Sequence, residues 1–245
     1  MAPIIEVRKL RKEYPVEDGP VVALDDVDLT IEKGEICCIF GPSGSGKSTL
    51  LNMLAGFEKP TRGGIRINGT VITGLNEEQL TRFRQKNTGF IFQAYNLLPS
   101  LTALENVASP LLFAGVDQKV RDKAAAKMLK RVGLENRMKH YPDQMSGGQQ
   151  QRVGIARAFV FNPTVIFADE PTGNLDSKSS KEILEMIRRF SKKEHQTIVM
   201  VSHSDMAASY ADHIVNLFDG RIVSQTYPSR EKQDRRQEKR EEKTV

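Results

Sequence analysis

The sequence lacks a long apolar run, an apolar leader and a set of spaced cysteines. No apolar stretch approaches the roughly 18 residues of a membrane-spanning helix. The N-terminus, MAPIIEVRKL, has no apolar core like that of a secretory signal, so we expect the protein to stay in the cytosol. The only cysteines, Cys37 and Cys38, are adjacent in an apolar stretch. Because neighbours on a strand point to opposite faces, we expect two buried thiols rather than a disulfide or a metal site.

The bulk composition is that of an ordinary globular protein. The 245 residues are 39% apolar and 27% charged, and they suffice for one large α/β domain or two lobes. The net charge of +5 is modest, and much of the basic surplus lies in residues 229–245. Nucleic-acid binding is therefore not expected. With almost no apolar residue, that tail is expected to be a solvated helix or a disordered segment.

Residues 41–48, GPSGSGKS, fit the phosphate-binding pattern G-x-x-x-x-G-K-[ST]. An apolar strand, ICCIF, precedes them and a helix-forming stretch, TLLNMLAG, follows, as this motif requires. Glycines let the backbone wrap closely around a polyphosphate, and successive N–H groups at a helix N-terminus bind anions. Lys47 can reach the β- and γ-phosphates, and the Ser48 hydroxyl can ligate Mg²⁺.

Three apolar strands end at polar residues: one at Gly41, one at Asp169-Glu170 and one at His203. In a parallel α/β sheet, ligands bind at the carboxyl ends of the strands, so these groups are predicted to share one site. Asp169 could hold Mg²⁺, directly or through water. Glu170 could polarise an attacking water as a general base. The alternative is that the two acids merely begin a surface turn.

A second glycine-rich turn, residues 145–149 (MSGGQ), precedes a helical stretch over residues 150–160. A glycine-rich turn at a helix N-terminus is a second possible phosphate site. The alternative is a loop in which glycine caps the helix.

Taken in order, the phosphate loop, Gln93, MSGGQ, FADE, the Asn-Leu-Asp of residues 174–176 and His203 resemble the nucleotide-binding subunit of an ABC transporter. The resemblance covers about residues 4–225. The segments DEPTGNLD and FIFQAYNLLPSLTALENV are similar to the macrolide-efflux, lipoprotein-release and cell-division ATPases, whose permeases we expect to be separate chains. One departure is Met145, where leucine is usual; the two side chains have similar volumes, so packing should survive.

The resemblance implies an α/β fold with a P-loop NTPase core, which is a mostly parallel sheet with helices on both faces. An N-terminal antiparallel β-subdomain and an inserted helical subdomain complete the fold. The expected ATPase domain is residues 1–228. Its core lies at about 1–92 and 158–228, its helical subdomain lies at about 93–157, and the charged tail at 229–245 follows.

The resemblance also implies a role for each matching residue in a Mg²⁺-dependent ATPase. Tyr14 would stack on adenine, although it could instead be a half-buried strand-end tyrosine. Gln93 would touch Mg²⁺ and the attacking water, and His203 would bond to the γ-phosphate. The other histidines, His140, His195 and His213, are expected at the surface. The predicted ATP contacts are Tyr14, Gly41, Pro42, Ser43, Gly44, Ser45, Gly46, Lys47, Ser48 and Thr49 in one subunit, with Ser146, Gly147, Gly148, Gln149 and Asp176 from the other; the predicted Mg²⁺ ligands are Ser48, Gln93 and Asp169, and the predicted catalytic residues are Glu170, His203 and Gln93.

The implied partners are a second copy on ATP binding and a separate integral membrane permease, with a possible extracytoplasmic adaptor reached through it. The protein would then lie at the cytoplasmic face of the membrane. Residues 95–98 and 101–113 are apolar enough either to meet the permease or to form the core of the helical lobe. Two rival functions are a soluble ABC-type ATPase acting on nucleic acid or the ribosome, and a regulatory module without transport. The permease would select the cargo, so this sequence leaves the cargo open.

Overall fold

The computed structural model describes residues 3–17 and 19–228, so the predicted charged tail lies outside the described residues. Within them the chain forms two sheets and a set of helices. In chain order the elements are β1 (Ile5–Tyr14), β2 (Val21–Ile31), β3 (Ile36–Phe40), α1 (Lys47–Leu54), β4 (Arg62–Ile67), β5 (Thr70–Val71), α2 (Glu77–Asn87), β6 (Thr88–Ile91), α3 (Ala103–Phe113), α4 (Gln118–Arg131), α5 (Gly147–Phe159), β7 (Val165–Asp169), α6 (Ser177–Glu194), β8 (Thr197–Ser202), α7 (Asp205–Ser209), β9 (His213–Phe218) and β10 (Arg221–Thr226).

The first sheet is antiparallel and has the order β2-β1-β4-β5. The second has the order β10-β9-β3-β8-β7-β6, and every neighbouring pair in it is parallel except β10 with β9. Its central strands are buried on both faces, which explains their continuous apolar sequences. The prediction of a mostly parallel core with an antiparallel β-subdomain is confirmed.

Each face of the parallel sheet has its own apolar layer. Cys37 belongs to the layer shared with α1 and the antiparallel sheet, whereas Cys38 belongs to the layer shared with α3 to α7. Both thiols are buried and unbridged, and burial raises the pKa of Cys38 to about 12. The strand alternation therefore predicted correctly that the two thiols face opposite layers and do not bridge each other.

Two hairpins turn where the sequence indicates. The β4–β5 turn has positive φ at Asn68 (47°) and Gly69 (79°), and the β9–β10 turn has it at Asp219 (45°) and Gly220 (74°). Two successive residues with positive φ give the turn whose twist matches that of the flanking strands.

The helical lobe tolerates a proline inside α3 because a neighbouring side chain replaces the missing donor. Pro110 has no N–H for the carbonyl of Asn106, and the Ser109 hydroxyl donates to that carbonyl at 2.9 Å. Thr102 caps the same helix together with Glu105, whose pKa is lowered by the Thr102 hydroxyl and N–H. The buried residues of α3 join the core layer, whereas Leu98, Leu112 and Phe113 are exposed. Some side chains of residues 95–98 and 101–113 therefore belong to the core of the helical lobe, and others are exposed, as a contact with the permease would require.

One expectation about the histidines is wrong. His213 is fully buried at the start of β9, where it lies opposite Cys37 in the sheet. Its ring nitrogens lie 3.2 Å from Glu35 Oε1 and 3.0 Å from Gln225 Oε1, and Tyr227 stacks on the ring at 4.3 Å. These partners satisfy both nitrogens, which permits burial. In the described part of the chain, no helix has the length and apolarity needed to cross a membrane.

Candidate active site

The strands β3, β8 and β7 are parallel neighbours, so the segments that follow them meet at one edge of the sheet. A cleft of about 600 Å³ opens there. It brings together predicted residues that are far apart in the sequence, from Pro42 to His203. The cleft is lined by Ala23, Pro42, Ser43, Gly44, Gly46, Lys47, Ser48, Thr49, Gln93, Glu170 and His203.

The phosphate loop is a left-handed turn that leads directly into α1. Gly46 is the N-cap and has φ of 96°, and a Cβ there would lie 2.5 Å from the Ala23 carbonyl oxygen. Only glycine fits both the conformation and the space. Lys47 is 6% exposed, and its Nζ donates to the Pro42 carbonyl at 2.7 Å. The ammonium group is thus held within the loop, where an anionic ligand would replace the carbonyl as its partner.

Ser48 and Asp169 provide oxygen atoms beside this loop, with Ser48 Oγ 3.4 Å from Asp169 Oδ1. Burial and the charge of Glu170 raise the pKa of Asp169, although Ser48 and Lys47 oppose the rise. A cation would relieve that repulsion. Across residues 3–17 and 19–228, no three acidic, His or Cys side chains gather into a metal cluster. The Ser48 hydroxyl and the single Asp169 carboxylate would fit Mg²⁺, which takes one or two carboxylates plus phosphate and water oxygens.

Glu170 and His203 form a contact pair at the mouth of the cleft. Glu170 Oε1 lies 2.9 Å from His203 Nδ1, and the Glu170 side chain is 19% exposed. The Glu170 backbone has φ of 41°, a rare conformation for a non-glycine residue. Its N–H donates to the Val201 carbonyl at 3.1 Å, which fixes the conformation. Strained residues of this kind cluster at functional sites.

Gln93 follows β6, the edge strand next to β7, and is joined to the segment that follows β7. The Asn174 amide donates to the Gln93 carbonyl at 3.1 Å, and the Gln93 amide donates to Asn174 Oδ1 at 3.4 Å. The Gln93 amide and the Glu170 carboxylate both lie close to Gly173. A Cβ at Gly173 would lie 2.8 Å from Gln93 Nε2 and 3.2 Å from Glu170 Oε2. The Gln93 amide and the Glu170 carboxylate are therefore close neighbours.

Tyr14 lies at the end of β1, outside the residues that line the cleft. Its hydroxyl interacts with Glu58 and Thr49, and burial together with Glu58 raises its pKa. The Lys12 ammonium lies 4.9 Å from the ring centroid and 2.8 Å from Glu58 Oε1. Tyr14 is thus a half-buried strand-end residue that also contacts the phosphate-loop helix through Thr49.

The residues predicted to act on a second subunit form a separate surface. Ser146 and Gln149 cap α5 reciprocally, at 3.4 Å and 3.1 Å. Asp176 caps α6 and accepts from Ser179 Oγ at 2.7 Å, and the Ser179 side chain lowers its pKa. A Cβ at Gly148 would lie 3.7 Å from that hydroxyl, so the two caps are adjacent. None of the predicted set Ser146, Gly147, Gly148, Gln149 and Asp176 lines the cleft, and neither do Gly41 and Ser45.

Two residues of the site were not predicted from the sequence. Ala23 lines the cleft with its backbone carbonyl near Gly46, and an alanine in a strand carries no sequence signal for this role. Asn174 was noted only as part of a motif, and its amide pairing with Gln93 depends on the adjacency of β6 and β7.

Comparison with known proteins agrees with this architecture. The family model described as "ABC transporter" matches residues 24–173. The ABC transporter ATP-binding protein YtrE of Bacillus subtilis (strain 168) is 50% identical over 221 residues, which are 89% of this chain and 96% of YtrE. The lipoprotein-releasing system ATP-binding protein LolD of Geobacter metallireducens is 44% identical, over 91% of this chain and 100% of LolD.

A longer relative and a solved structure extend the comparison. The macrolide export ATP-binding/permease protein MacB of Rhodopseudomonas palustris is 45% identical, over 93% of this chain but only 35% of MacB. The expectation of separate permeases is therefore wrong for MacB, whose name joins the two functions. The dimeric post-hydrolysis state of the ATP-binding cassette MJ0796, bound to ADP and Pi, is 40% identical with a TM-score of 0.85. The match covers 91% of this chain and 98% of the MJ0796 chain.

Fold, motif order and relatives agree over nine-tenths of the chain. The chain belongs to the ABC transporter family and is one of its ATP-binding, ATP-hydrolysing cassettes.

Proposed function

We propose that this ATPase binds Mg²⁺–ATP in the cleft, closes as a head-to-tail homodimer, and drives a membrane permease from the cytoplasmic face of the membrane. The observation that carries the proposal is the division of the motifs into two separate surfaces. The phosphate loop, Gln93, Glu170 and His203 line one cleft, whereas the Ser146 turn does not. A site that needs all of these groups must be completed by a second copy.

Within one chain, the loop N–H groups and Lys47 hold the triphosphate, and the Tyr14 ring supports the adenine. The cradle is formed by the other predicted loop residues that line the cleft, and Gly41 and Ser45 complete the loop outside that lining: Pro42, Ser43, Gly44, Gly46, Ser48 and Thr49 are the lining residues. Ser48, Asp169 and Gln93 would hold Mg²⁺, which neutralises charge on the β- and γ-phosphates. The fit rests on the donor set, since hydroxyl, carboxylate and amide oxygens are the ligands that this ion prefers.

For hydrolysis, Glu170 accepts a proton from the attacking water while His203 donates a hydrogen bond to the γ-phosphate. The 2.9 Å contact between Glu170 and His203 orients the carboxylate. Gln93 positions the same water, since its amide and the Glu170 carboxylate both lie close to Gly173. A base in this position contributes about 10²–10⁴-fold to the rate.

From the second copy, the N–H groups of Ser146 to Gln149 would meet the γ-phosphate at the positive end of α5. Asp176 lies beside them at the N-terminus of α6, and Ser179 links the two caps. The γ-phosphate would then join the two protomers, and its release would let them separate, as in other phosphate-held switches.

The permease contact is proposed on the exposed apolar side chains beside the Gln93 segment. Phe57 is 52% exposed and contacts Phe90 at 5.2 Å, and Phe90 contacts Phe92 at 4.4 Å. Arg157 lies over Phe92 and donates to the Tyr95 carbonyl at 2.8 Å. One short segment therefore connects these aromatic side chains to Gln93, which is proposed to contact Mg²⁺ and the attacking water. By relation to LolD and MacB, an efflux or lipoprotein-release system is proposed, with any extracytoplasmic adaptor reached through the permease.

The proposed domain division follows the sequence prediction: an α/β core at about 1–92 and 158–228, and a helical subdomain at about 93–157. The charged tail at 229–245 is kept as a separate segment in this division.

Dimer formation is tested with Gly148→Asp in the Glu170→Gln background. A side chain at position 148 meets only Ser179 at 3.7 Å, so the fold tolerates it, but its charge would oppose the partner's γ-phosphate. We expect Mg²⁺–ATP to double the mass measured by light scattering in the parent and not in Gly148→Asp, with equal ATP affinity. Gly74→Asp is the control, because Gly74 has open space around it. Equal dimerisation in both variants would refute the trans role.

The transport role is tested by purifying the chain with its neighbouring permease. We expect ATP hydrolysis to rise when the permease is present in vesicles and to stay unchanged with DNA or ribosomes. Stimulation by nucleic acid or ribosomes would favour the rival function.

A further inference from the structure

The turn between β9 and β10 contacts the phosphate loop from behind, outside the cleft. The Gly220 N–H donates to the Ser45 carbonyl at 3.1 Å. Leu217 lies on β9, the strand that leads into this turn. A Cβ at Gly41 would lie 2.1 Å from the Leu217 carbonyl oxygen, so the loop and the hairpin touch backbone to backbone. Neither Leu217 nor Gly220 lines the cleft.

The Ala23 carbonyl of β2 is held between this turn and the phosphate loop. A Cβ at Gly46 would lie 2.5 Å from that oxygen, and a Cβ at Gly220 would lie 2.8 Å from it. Real Cβ contacts are about 3.4 Å or longer, so a side chain at Gly220 must displace the Ala23 carbonyl. Because the Gly46 backbone also lies against this oxygen, the displacement reaches the phosphate loop.

Asp25 anchors the turn to β2. Its N–H donates to the Gly220 carbonyl at 2.9 Å, and its carboxylate pairs with both Arg221 and Arg11. The Asp25 side chain is 17% exposed and the Arg221 side chain is 69% exposed, so the carboxylate is the shielded partner of this network. Charge-assisted bonds of this kind are about twice as strong as neutral ones.

We propose that Gly220 and its Asp25–Arg221 anchor are positioning residues for the phosphate loop. The turn fixes the Ser45-Gly46 peptide, so the affinity for ATP depends on a hairpin that never touches the nucleotide. The inference rests on the proposed function, because it takes the cleft as the ATP site. The loop N–H groups must converge on phosphate oxygens, and hydrogen bonds weaken steeply with misalignment.

The test compares Gly220→Ala with Gly115→Ala. Both glycines have φ of 74°, but a Cβ at Gly115 meets nothing within 4 Å, so the control carries the backbone strain alone. We expect both thermal midpoints to fall. The dissociation constant for Mg²⁺–ATP, from titration calorimetry, should rise at least about tenfold in Gly220→Ala and stay within about twofold in Gly115→Ala.

A second pair of variants covers the case in which Gly220→Ala does not fold. Arg221→Met removes the outer anchor without adding a Cβ to the turn, and we expect KM for ATP to rise about threefold at unchanged kcat. Arg62→Met is its control, since Arg62 lies 3.9 Å from Asp26 in an exposed pair on the antiparallel sheet that also carries Asp25. A merely structural role would lower both midpoints and leave KM unchanged.

Lys47→Ala separates this inference from the proposed function. If Lys47→Ala weakens ATP binding while Gly220→Ala and Arg221→Met do not, the positioning role is wrong and the site stands. If Lys47→Ala binds ATP as the parent does, the cleft is not the ATP site and both conclusions fall.

Discussion

Replacing Glu170 with glutamine changes one atom at the proposed reacting centre. The amide oxygen can still accept from His203, whose Nδ1 lies 2.9 Å from Glu170 Oε1, so the local geometry is kept. The amide cannot accept a proton from water. The substitution also removes one of two adjacent negative charges, since Glu170 contributes to the raised pKa of Asp169.

The expected magnitude follows from these two effects. Loss of a positioned general base lowers the hydrolysis rate by about 10²–10⁴-fold, which is about 3–5 kcal/mol in the barrier. Loss of a charge beside the triphosphate site reduces repulsion, so ATP affinity should be equal or higher. The variant should therefore accumulate the ATP-bound state.

Phosphate release under single-turnover conditions measures the rate, and calorimetry measures ATP affinity. Glu182→Gln is the matched control, because the exposed Glu182 side chain of α6 makes an ion pair with Arg152 of α5 and lies outside the cleft. That variant should hydrolyse ATP at the parent rate. A Glu170→Gln rate within about threefold of the parent would show that another group activates the water.

Two further predictions concern stability. Because burial and Glu170 raise the pKa of Asp169 above 3.8, protonation of this group favours the folded state: its contribution is present below 3.8 and is lost as pH rises through the folded-state pKa. In urea unfolding without nucleotide, Asp169→Asn should therefore be more stable than the parent at pH 7 and equally stable below pH 3.8. Its rate of ATP hydrolysis should fall at least about 10²-fold. Lower stability of the variant at pH 7 would contradict the argument that burial raises the Asp169 pKa. Phe159→Ala should lower the free energy of unfolding by about 3–5 kcal/mol, since Phe159 is 2% exposed and its ring centroid lies 5.0 Å from that of Phe190. Phe113 is 69% exposed, so Phe113→Ala should change it by no more than about 0.5 kcal/mol. Equal losses in the two variants would contradict the assigned core.

Much of the cleft could be predicted because its groups follow strand ends. Once the apolar strands are placed in a parallel sheet, their carboxyl ends must lie at one edge, and Lys47, Asp169 and His203 follow such ends. Turn chemistry likewise accounts for both hairpins, since Asn-Gly and Asp-Gly adopt the positive φ that the turns require.

The parts that could not be predicted depend on contacts between distant backbones. The Ala23 carbonyl and the Gly220 turn meet the phosphate loop through main-chain atoms, which leave no mark on residue type other than glycine. The burial of His213 depends on Glu35, the residue before β3, and on Gln225 of β10. Helix α7 also went unpredicted; it has only five residues, too short for a clear apolar period.

The contacts around the cleft differ in kind, and that difference supports the proposed switch. Behind the phosphate loop, the Gly46 and Gly220 backbones pack tightly against the Ala23 carbonyl of β2, so this side of the site cannot move without displacing that strand. In front, Gln93 is held by amide contacts of 3.1 Å and 3.4 Å to Asn174 in an exposed segment. Free-energy changes at the γ-phosphate will therefore displace the Gln93 segment before they displace the loop. The half-buried Phe92 adjoins that segment, so the side of the site that we expect to move is the side that faces the proposed permease.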